Sequence, residues 1–157
     1  MKITKKDLII ISELRKNDRE SLTRLSRKTR IPVSTIYDRL KFQEKSIIKK
    51  HCALIDFSKI GFPTKTTILL KVPISKRKEL LEHVSKNLNV NNVFKVNNDY
   101  DVLIEAIFRD MREAERFVER LEERFSIIDK KVFYVIEELK RESFLANPTL
   151  LDLIIGK

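Results

Sequence analysis

One short polar face in the first third of the chain carries the residue types that bind nucleic acid. From Val33 to about Glu44 the apolar residues recur at helical spacing, which predicts a helix with one polar, partly basic side. An arginine on such a helix can pair with guanine or hold a phosphate, and residues at the helix N-terminus reach base edges in the major groove. We therefore predict that this side contacts double-stranded DNA, with Arg39 reading guanine or holding a phosphate. The predicted contact residues are Ser34, Thr35, Tyr37, Asp38, Arg39 and Lys41, while Val33, Ile36 and Leu40 face inward, with Tyr37 at the edge of that inward stripe.

Basic residues on both sides of this helix are placed to hold phosphates, which fix the position of a protein on DNA rather than its sequence preference. Lys49 and Lys50 follow the helix in a predicted hairpin or wing. The residues predicted to contact the backbone before the helix are Ser21, Arg24, Arg27, Lys28 and Arg30.

The net charge is concentrated in the same part of the chain. The first 60 residues hold 16 Lys and Arg against 7 Asp and Glu, whereas the other 97 hold 17 against 16. Nearly all of the net charge of +10 therefore lies in the first 60 residues, which indicates that this part meets a polyanion. A basic surface that merely keeps the protein in solution is the alternative.

The sequence contains no set of residues typical of an enzyme. Its two histidines, His51 and His83, are far apart, and no HExxH, CxxC, GxSxG or glycine-rich phosphate loop occurs. His51 and Cys52 are adjacent on a predicted strand, so their side chains point to opposite faces and cannot easily share a metal. We predict no catalytic residues, no metal and no cofactor, with Cys52 in the core and His83 in solvent.

The single cysteine and the absence of a long apolar run predict where the protein works. One cysteine cannot form an internal disulfide, which fits a reducing compartment. No apolar stretch approaches the roughly 20 residues of a membrane span. We expect no membrane contact, and a soluble, cytoplasmic protein associated with the nucleoid.

Three short predicted helices position the DNA-binding residues. The first runs from Lys5 to Arg15, and the second is capped by Ser21 and ends at Lys28. A tight turn at residues 29–31 then leads to Pro32, which suits the first turn of the third helix. This pattern is typical of a helix-turn-helix, and the alternation in residues 47–57 predicts a hinge strand after it.

The second half of the chain predicts the order strand, helix, strand, strand, helix, strand. The strands are expected at 66–72, near Val93 and Val96, at 102–108 and at 127–136, and the helices at 76–88 and after Asp110. The inward residues of the two helices are predicted as Leu81, Val84, Leu88, Met111, Ala114, Phe117, Val118, Leu121 and Phe125. This is the ferredoxin-like βαββαβ motif, an antiparallel sheet with both helices on one face. Its other face is uncovered, which predicts a homodimer.

The fold class is therefore α+β: an N-terminal winged-type helix-turn-helix and a C-terminal ferredoxin-like βαββαβ domain. The expected boundaries are 1–57 for the DNA-binding domain with its hinge strand, 58–64 for a linker, 65–138 for the dimerisation and effector domain, and 139–157 for a C-terminal extension. The apolar residues at 150–155 predict that this extension packs on a neighbouring subunit or forms a short helix on its own subunit.

The sequence resembles the Lrp/AsnC regulators, also called feast/famine regulatory proteins. The resemblance covers almost the whole chain, through KKDLIIISELRKNDRESLTRLSRKTRIPVSTIYDRLK, SIIKKHCALIDFSKIGF and VNNDYDVLIEAIFRDMREAERFVERL. The last stretch is similar to the ligand-domain signature of that family, in which a Gly-Asp-Tyr-Asp turn opens a central strand. The resemblance implies a sequence-specific transcription regulator that binds DNA as a dimer, tetramer or octamer and responds to an amino acid.

The resemblance also implies which residues would bind the effector, and it has three departures. Asn98, Asp99, Tyr100 and Asp101 form the turn, with Asn98 in place of the family glycine. Arg30 replaces a glycine that many helix-turn-helix turns keep. The segment after the third helix is one residue short and has Ser46 where glycine is usual. Two alternatives are an enzyme subunit of similar architecture, like some haem-biosynthesis decarboxylases, and a non-specific architectural DNA-binding protein.

Overall fold

The computed structural model describes residues 3–155, which form two compact units. The helical unit contains the described residues up to Leu54 together with those from Leu139 onward, and the sheet unit spans Ile55–Glu138. The last residues of the predicted hinge strand, 55–57, and the predicted linker at 58–64 therefore lie in the sheet unit, and the C-terminal extension lies in the helical unit. Among the residues described, no helix is long and apolar enough to cross a bilayer.

Three helices form most of the helical unit: α1 (Lys5–Lys16), α2 (Leu22–Thr29) and α3 (Val33–Ser46). Thr4 caps α1 in a reciprocal capping box with Asp7, and the Ser21 hydroxyl caps α2 by accepting from the backbone N–H of Arg24 at 3.3 Å. Arg30 ends α2 in the left-handed region at φ 57°. The predicted helix-turn-helix is thus present.

The core of the helical unit is small and centres on the turn between α2 and α3. Ile10, Leu25 and Ile36 are fully buried, and Ile31 in the turn is nearly so. Val33, predicted to face inward, is 41% exposed, and Tyr37, predicted at the edge of the inward stripe, is 50% exposed. Tyr37 follows Ile36 and therefore lies about 100° further round the helix, outside the buried stripe.

The segment after α3 does not form the predicted strand. Residues 48–56 belong to no helix or strand, and most of their side chains are exposed. A strand is stabilised by pairing with a neighbour, and this segment is paired with none of the described strands. The prediction of a wing after α3 is therefore wrong for the single chain, and so is the prediction that Cys52 lies in the core, because Cys52 is exposed.

The sheet unit has the predicted order βαββαβ. After a short 3-10 helix (Phe57–Ile60), its elements are β1 (Thr64–Lys71), α4 (Ile74–Ser85), β2 (Val90–Lys95), β3 (Val102–Phe108), α5 (Met111–Phe125) and β4 (Asp129–Tyr134). The strands are antiparallel in the order β2-β3-β1-β4. The predicted fold class, a helix-turn-helix joined to a ferredoxin-like sheet, is confirmed.

Alternate residues of the strands face the two helices. Ile68 and Leu70 of β1 and Ile104 of β3 are fully buried there, with Val84 of α4 and Phe117 of α5 above them. Two predicted core residues lie elsewhere. Leu88 is fully exposed because α4 ends three residues before it, and Met111, the first residue of α5, is 57% exposed. His83, predicted in solvent, is partly buried, with its ring centroid 5.3 Å from that of Phe125.

The other side of the sheet carries apolar residues, two of which are half exposed. Phe94 pairs with Leu103, which pairs with Leu69 in the neighbouring strand, so the three side chains form one row. Phe133 extends the surface on β4, and Phe94 and Phe133 are 50% and 51% exposed. We call this surface the open sheet face.

The C-terminal extension forms part of the helical unit of its own chain. A 3-10 turn at Pro148–Leu150 leads into α6 (Leu151–Ile155), and Leu151 is 1% exposed. Two ion pairs hold the extension to α1: Arg15 to Glu142 at 2.9 Å and Lys5 to Asp152 at 2.6 Å. Of the two predicted placements, the structure shows the short helix on the same chain.

Candidate nucleic-acid interface and effector turn

The polar side of α3 is open to solvent while its apolar side is buried. Ser34, Asp38 and Lys41 are exposed and Thr35 is half-buried. The Lys41 ammonium lies 5.1 Å from the ring centroid of Tyr37, so these two side chains form one exposed cation–π pair. Pro32 precedes α3 without a side-chain cap, which leaves the first N–H groups of the helix without a side-chain acceptor. This end of α3 can therefore donate hydrogen bonds to a ligand.

Arg39 differs from the other predicted contact residues. Its guanidinium points to the start of α1, where Nη1 lies 3.2 Å from Oδ2 of Asp7. The side chain of Arg39 is only 21% exposed and that of Asp7 is fully buried. Arg39 therefore forms an ion pair within the helical unit.

The basic residues predicted to hold phosphates fall into two groups. Arg27, Arg30, Lys49 and Lys50 are exposed and form no salt bridge within residues 3–155. Lys28 is different: its ammonium lies 2.7 Å from Oε2 of Glu20, a hydrogen bond that raises the pKa of Lys28 and lowers that of Glu20. Arg24 lies 3.8 Å from the same carboxylate. The positive surface therefore depends mostly on the first group.

Two charged groups near this interface were missed by the sequence interpretation. Asp7 was counted only as a charge on α1, although the spacing of Thr4 and Asp7 already resembles a capping box. His51 was considered only as a metal ligand, whereas its Nδ1 lies 2.6 Å from Oδ1 of Asp18. No sequence signal relates these two residues, which are 33 positions apart.

The predicted effector turn links β2 to β3 through two residues with positive φ. Asn98 has φ 66° and Asp99 φ 76°, both in the left-handed region that asparagine and aspartate tolerate better than other side-chain-bearing residues. Both are exposed. Asn98 thus has a left-handed backbone conformation that glycine adopts readily.

Asp101 fastens this turn to the end of β1. Its carboxylate accepts from the backbone N–H of Val72 at 2.9 Å and forms a short ion pair with Arg77. Its backbone N–H donates to the carbonyl of Leu70 at 2.9 Å. Asp101 therefore already has donors for both carboxylate oxygens.

Tyr100 is held by the neighbouring edge of the sheet. Its hydroxyl donates to Oδ2 of Asp129 at 2.8 Å, which raises the pKa of Tyr100, and Lys131 lies 5.4 Å from its ring centroid. Of the turn carboxylates, Asp99 alone has no hydrogen bond or ion pair among the described residues. The structure brings the four predicted effector residues together and leaves Asp99 open to a ligand.

Two shallow hollows lie in other parts of the sheet unit. One lies between α4 and α5 beside His83 and Arg124, and another lies beneath the 3-10 helix beside Phe57 and Leu88. Neither is lined by the effector turn. Across residues 3–155, no cluster of three or more histidine, cysteine or acidic side chains is arranged to hold a metal ion.

A helix-turn-helix unit joined to a ferredoxin-like sheet defines a class of two-part transcription regulators. The model of the Lrp/AsnC ligand binding domain matches residues 65–145 of this sequence. The chain belongs to the Lrp/AsnC family and is a DNA-binding transcription regulator. The predicted family is confirmed, and it is a family of regulators rather than enzymes.

Relatives and solved structures agree with this assignment. An HTH-type transcriptional regulator of Pyrococcus furiosus is 31% identical over 121 residues, covering 73% of this chain and 77% of the relative. One of Pyrococcus horikoshii is 26% identical over 151 residues, covering 94% of this chain and all of the relative. Two structures share the fold at TM-score 0.81: LrpC of B. subtilis, at 20% identity over 89% of this chain and 99% of that one, and a Neisseria meningitidis regulator in complex with L-Met, at 24% over 89% and 94%.

Proposed function

We propose that this regulator contacts double-stranded DNA through the exposed side of α3 and the basic residues around it. The observation that carries the proposal is the division of α3 into a buried apolar side and an exposed polar side. We propose that Ser34, Thr35 and Asp38 reach base edges, with Tyr37 and Lys41 beside them. The residues proposed to hold phosphates are Arg24, Arg27, Lys28, Arg30, Lys49 and Lys50, with Ser21 at the cap of α2.

The salt dependence of DNA binding tests this proposal. Fluorescence anisotropy on a library of genomic fragments should select a site whose affinity falls by about 10³–10⁵ between roughly 50 and 200 mM salt if six to ten phosphates are contacted. Lys41→Ala should weaken binding, whereas the matched variant Lys78→Ala, on the exposed surface of α4, should leave it unchanged. Binding that ignores salt, or equal effects of the two variants, would contradict the proposal.

We further propose that the open sheet face pairs two copies of the chain, and that such dimers assemble into tetramers or octamers. A dimer would carry two copies of α3. A roughly palindromic binding site with half-sites whole helical turns apart would support this. A uniform footprint along any duplex would support a non-specific architectural protein instead, and would place this basic protein along the nucleoid without sequence preference.

An amino acid is the effector that we propose for the turn at 98–101. The support is the described Neisseria regulator, which holds L-Met, together with the open carboxylate of Asp99. We propose that Asp99 pairs with the ammonium group, that backbone N–H groups of the turn hold the carboxylate, and that Tyr100 lines the site. Asp101 keeps its structural partners, and Asn98 supplies the left-handed backbone.

Thermal unfolding in the presence of each of the common amino acids tests the effector site. The expected result is a rise in the unfolding temperature with one chemical class of amino acid, abolished in Asp99→Asn and kept in Glu123→Gln, which removes a charge from α5 instead. Binding stabilises the folded state by about 2.7 kcal/mol at a hundredfold excess over Kd, so a shift is measurable. No shift at millimolar concentrations would contradict the proposal.

A further inference from the structure

A buried carboxylate lies where α3 crosses the first turn of α1. Asp7 has no solvent-exposed surface, yet its two oxygens are surrounded by donors. Oδ2 accepts from the backbone N–H of Thr4 at 2.7 Å, from its hydroxyl at 2.6 Å and from Arg39 at 3.2 Å. Oδ1 accepts from the side-chain amide of Gln43 at 3.1 Å. The carboxylate is therefore fully hydrogen-bonded.

These donors keep Asp7 ionised. Burial by itself would raise the pKa of Asp7, but the hydrogen bonds from Thr4 and Gln43 and the charge of Arg39 together hold that pKa below its usual value of 3.8. A buried charge is stable only when it is paired and hydrogen-bonded. Losing one partner of such a pair is therefore costly, which makes the arrangement rigid.

Arg39 and Gln43 attach α3 to this carboxylate at two points. They are four residues apart and so lie on the same side of the helix, one turn above the other. Two bonds from one side of a helix to a single carboxylate fix how the helix is rotated about its axis. A rotation of about 20° would move atoms roughly 5 Å from the axis by about 2 Å, more than a base contact tolerates.

We propose that Asp7 is a positioning residue for DNA recognition: it holds Arg39 and Gln43 so that Ser34, Thr35 and Asp38 face the major groove. Arg39 then stabilises the orientation of α3 and does not read a base. This inference rests on the proposed contact between α3 and DNA, and it reverses the role that the sequence predicted for Arg39.

A double-mutant cycle separates the two roles of Arg39. If Asp7 positions α3, Asp7→Asn and Arg39→Gln each weaken binding to the selected site by about tenfold, the loss expected for one base contact. The double variant is then no worse than either single variant, because both remove one interaction. If Arg39 instead holds a phosphate, Arg39→Gln weakens all sequences alike, and Asp7→Asn, which frees Arg39, leaves affinity unchanged or higher.

The salt dependence of binding separates a positioning role of Arg39 from a phosphate contact. Removing one phosphate contact lowers the slope of log K against log salt by about 0.9. We expect that decrease in Arg27→Gln, a matched loss of one exposed arginine, and no decrease in Arg39→Gln. A lowered slope in Arg39→Gln with full affinity in Asp7→Asn overturns the inference.

Milder variants keep the test decisive if Asp7→Asn does not fold. Gln43→Met keeps the ion pair, loses one donor and should lower specific affinity about three- to tenfold without changing the slope. Arg39→Lys keeps a positive charge beside Asp7 and should recover part of the DNA affinity lost in Arg39→Gln. Full affinity in Gln43→Met, with its helical unit folded by circular dichroism, contradicts the inference. Failure of the unmodified protein to bind any duplex contradicts the proposed function itself.

Discussion

His51 Nδ1 lies 2.6 Å from Oδ1 of Asp18, and His51 Nε2 lies 3.6 Å from Oε1 of Glu44. The histidine belongs to the extended segment after α3, Asp18 to the loop between α1 and α2, and Glu44 to the last turns of α3. The imidazole of His51 thus links the segment after α3 to the loop between α1 and α2 and to the end of α3. Protonation makes both contacts ion pairs, so the strength of this link depends on pH.

The two histidines of the chain should titrate on opposite sides of the usual value of 6.5. The hydrogen bond that His51 donates to Asp18, with the charges of Asp18 and Glu44, raises the pKa of His51, whereas burial and the nearby Arg124 lower that of His83. NMR titration of the two imidazole Cε1–H signals measures both midpoints, and Asp18→Asn should lower that of His51 alone. Midpoints in the reverse order would refute the described contacts.

The opposite shifts also give opposite effects on stability. A raised folded pKa means that the His51 contribution is fully present below pH 6.5 and is lost as the pH rises through the folded value. The lowered pKa of His83 means that the sheet unit loses stability as the pH falls below 6.5, because the unfolded chain binds the proton more readily. Urea unfolding across pH 5–8 measures both trends: His51→Gln should remove the loss of stability at rising pH, and His83→Gln the loss at falling pH.

Arg30 is the residue whose replacement should separate stability from binding. Arg30 is the C-cap of α2 and has φ 57°. A residue with a side chain costs about 1–2 kcal/mol in this left-handed conformation, whereas glycine adopts it without that cost. Glycine also raises the entropy of the unfolded chain, which offsets part of this gain. Arg30→Gly should therefore raise the free energy of unfolding by only about 0.5–1 kcal/mol.

Arg27→Gly is the matched control for this change, because Arg27 is equally exposed but lies within α2. There glycine should lower the free energy of unfolding by about 1 kcal/mol. Both variants lose one proposed phosphate contact, so both should lower the salt slope of DNA binding by about 0.9. Urea unfolding and salt titrations measure the two effects, and a destabilised Arg30→Gly would show that Arg30 makes stabilising contacts that outweigh its backbone conformation.

Much of this architecture follows from local rules. The burial of Phe117 and Leu121 on α5 follows from helical spacing, and the burial of Ile104 on β3 follows from alternation. Both patterns indicate which side of the element packs into the core. Ser21 caps α2 as predicted, and Asp110 caps α5, since capping involves residues only three apart. These interactions are short-range, so a single sequence contains them.

The errors arise where distant segments decide the outcome. Alternation in residues 47–57 indicates a strand, but a strand also needs a partner, which the sequence pattern does not supply. The DNA contact of Arg39 stays a prediction, but its ion pair with Asp7, 32 positions earlier, was not foreseen from the sequence. Leu88 matches the helical spacing of Leu81 and Val84, yet α4 ends before it. Each case depends on a tertiary contact or an element boundary.

The C-terminal extension should contribute to the stability of the helical unit. Leu151 is 1% exposed, and burying such a side chain fully is worth about 1.5–3 kcal/mol. Leu151→Ala should therefore lower the free energy of unfolding of the helical unit by about 2 kcal/mol or more. Leu153→Ala, two residues away but 81% exposed, is the control and should change it by less than about 0.5 kcal/mol. Equal effects in urea unfolding would show that the extension is not packed as described.

Phe133→Asp should separate the proposed dimer into monomers. Phe133 is half exposed on the open sheet face, and pairing two copies would bury its exposed half twice, for about 1.5–3 kcal/mol per dimer. Replacing it with a carboxylate removes this gain and buries a charge, so the dimer dissociation constant should rise at least about a hundredfold. Met111→Asp is the matched control: Met111 is similarly exposed, and an acidic residue suits the first turn of α5. Sedimentation over a range of concentrations should therefore find Phe133→Asp monomeric and Met111→Asp dimeric, and an undisturbed Phe133→Asp dimer would place the interface on another surface.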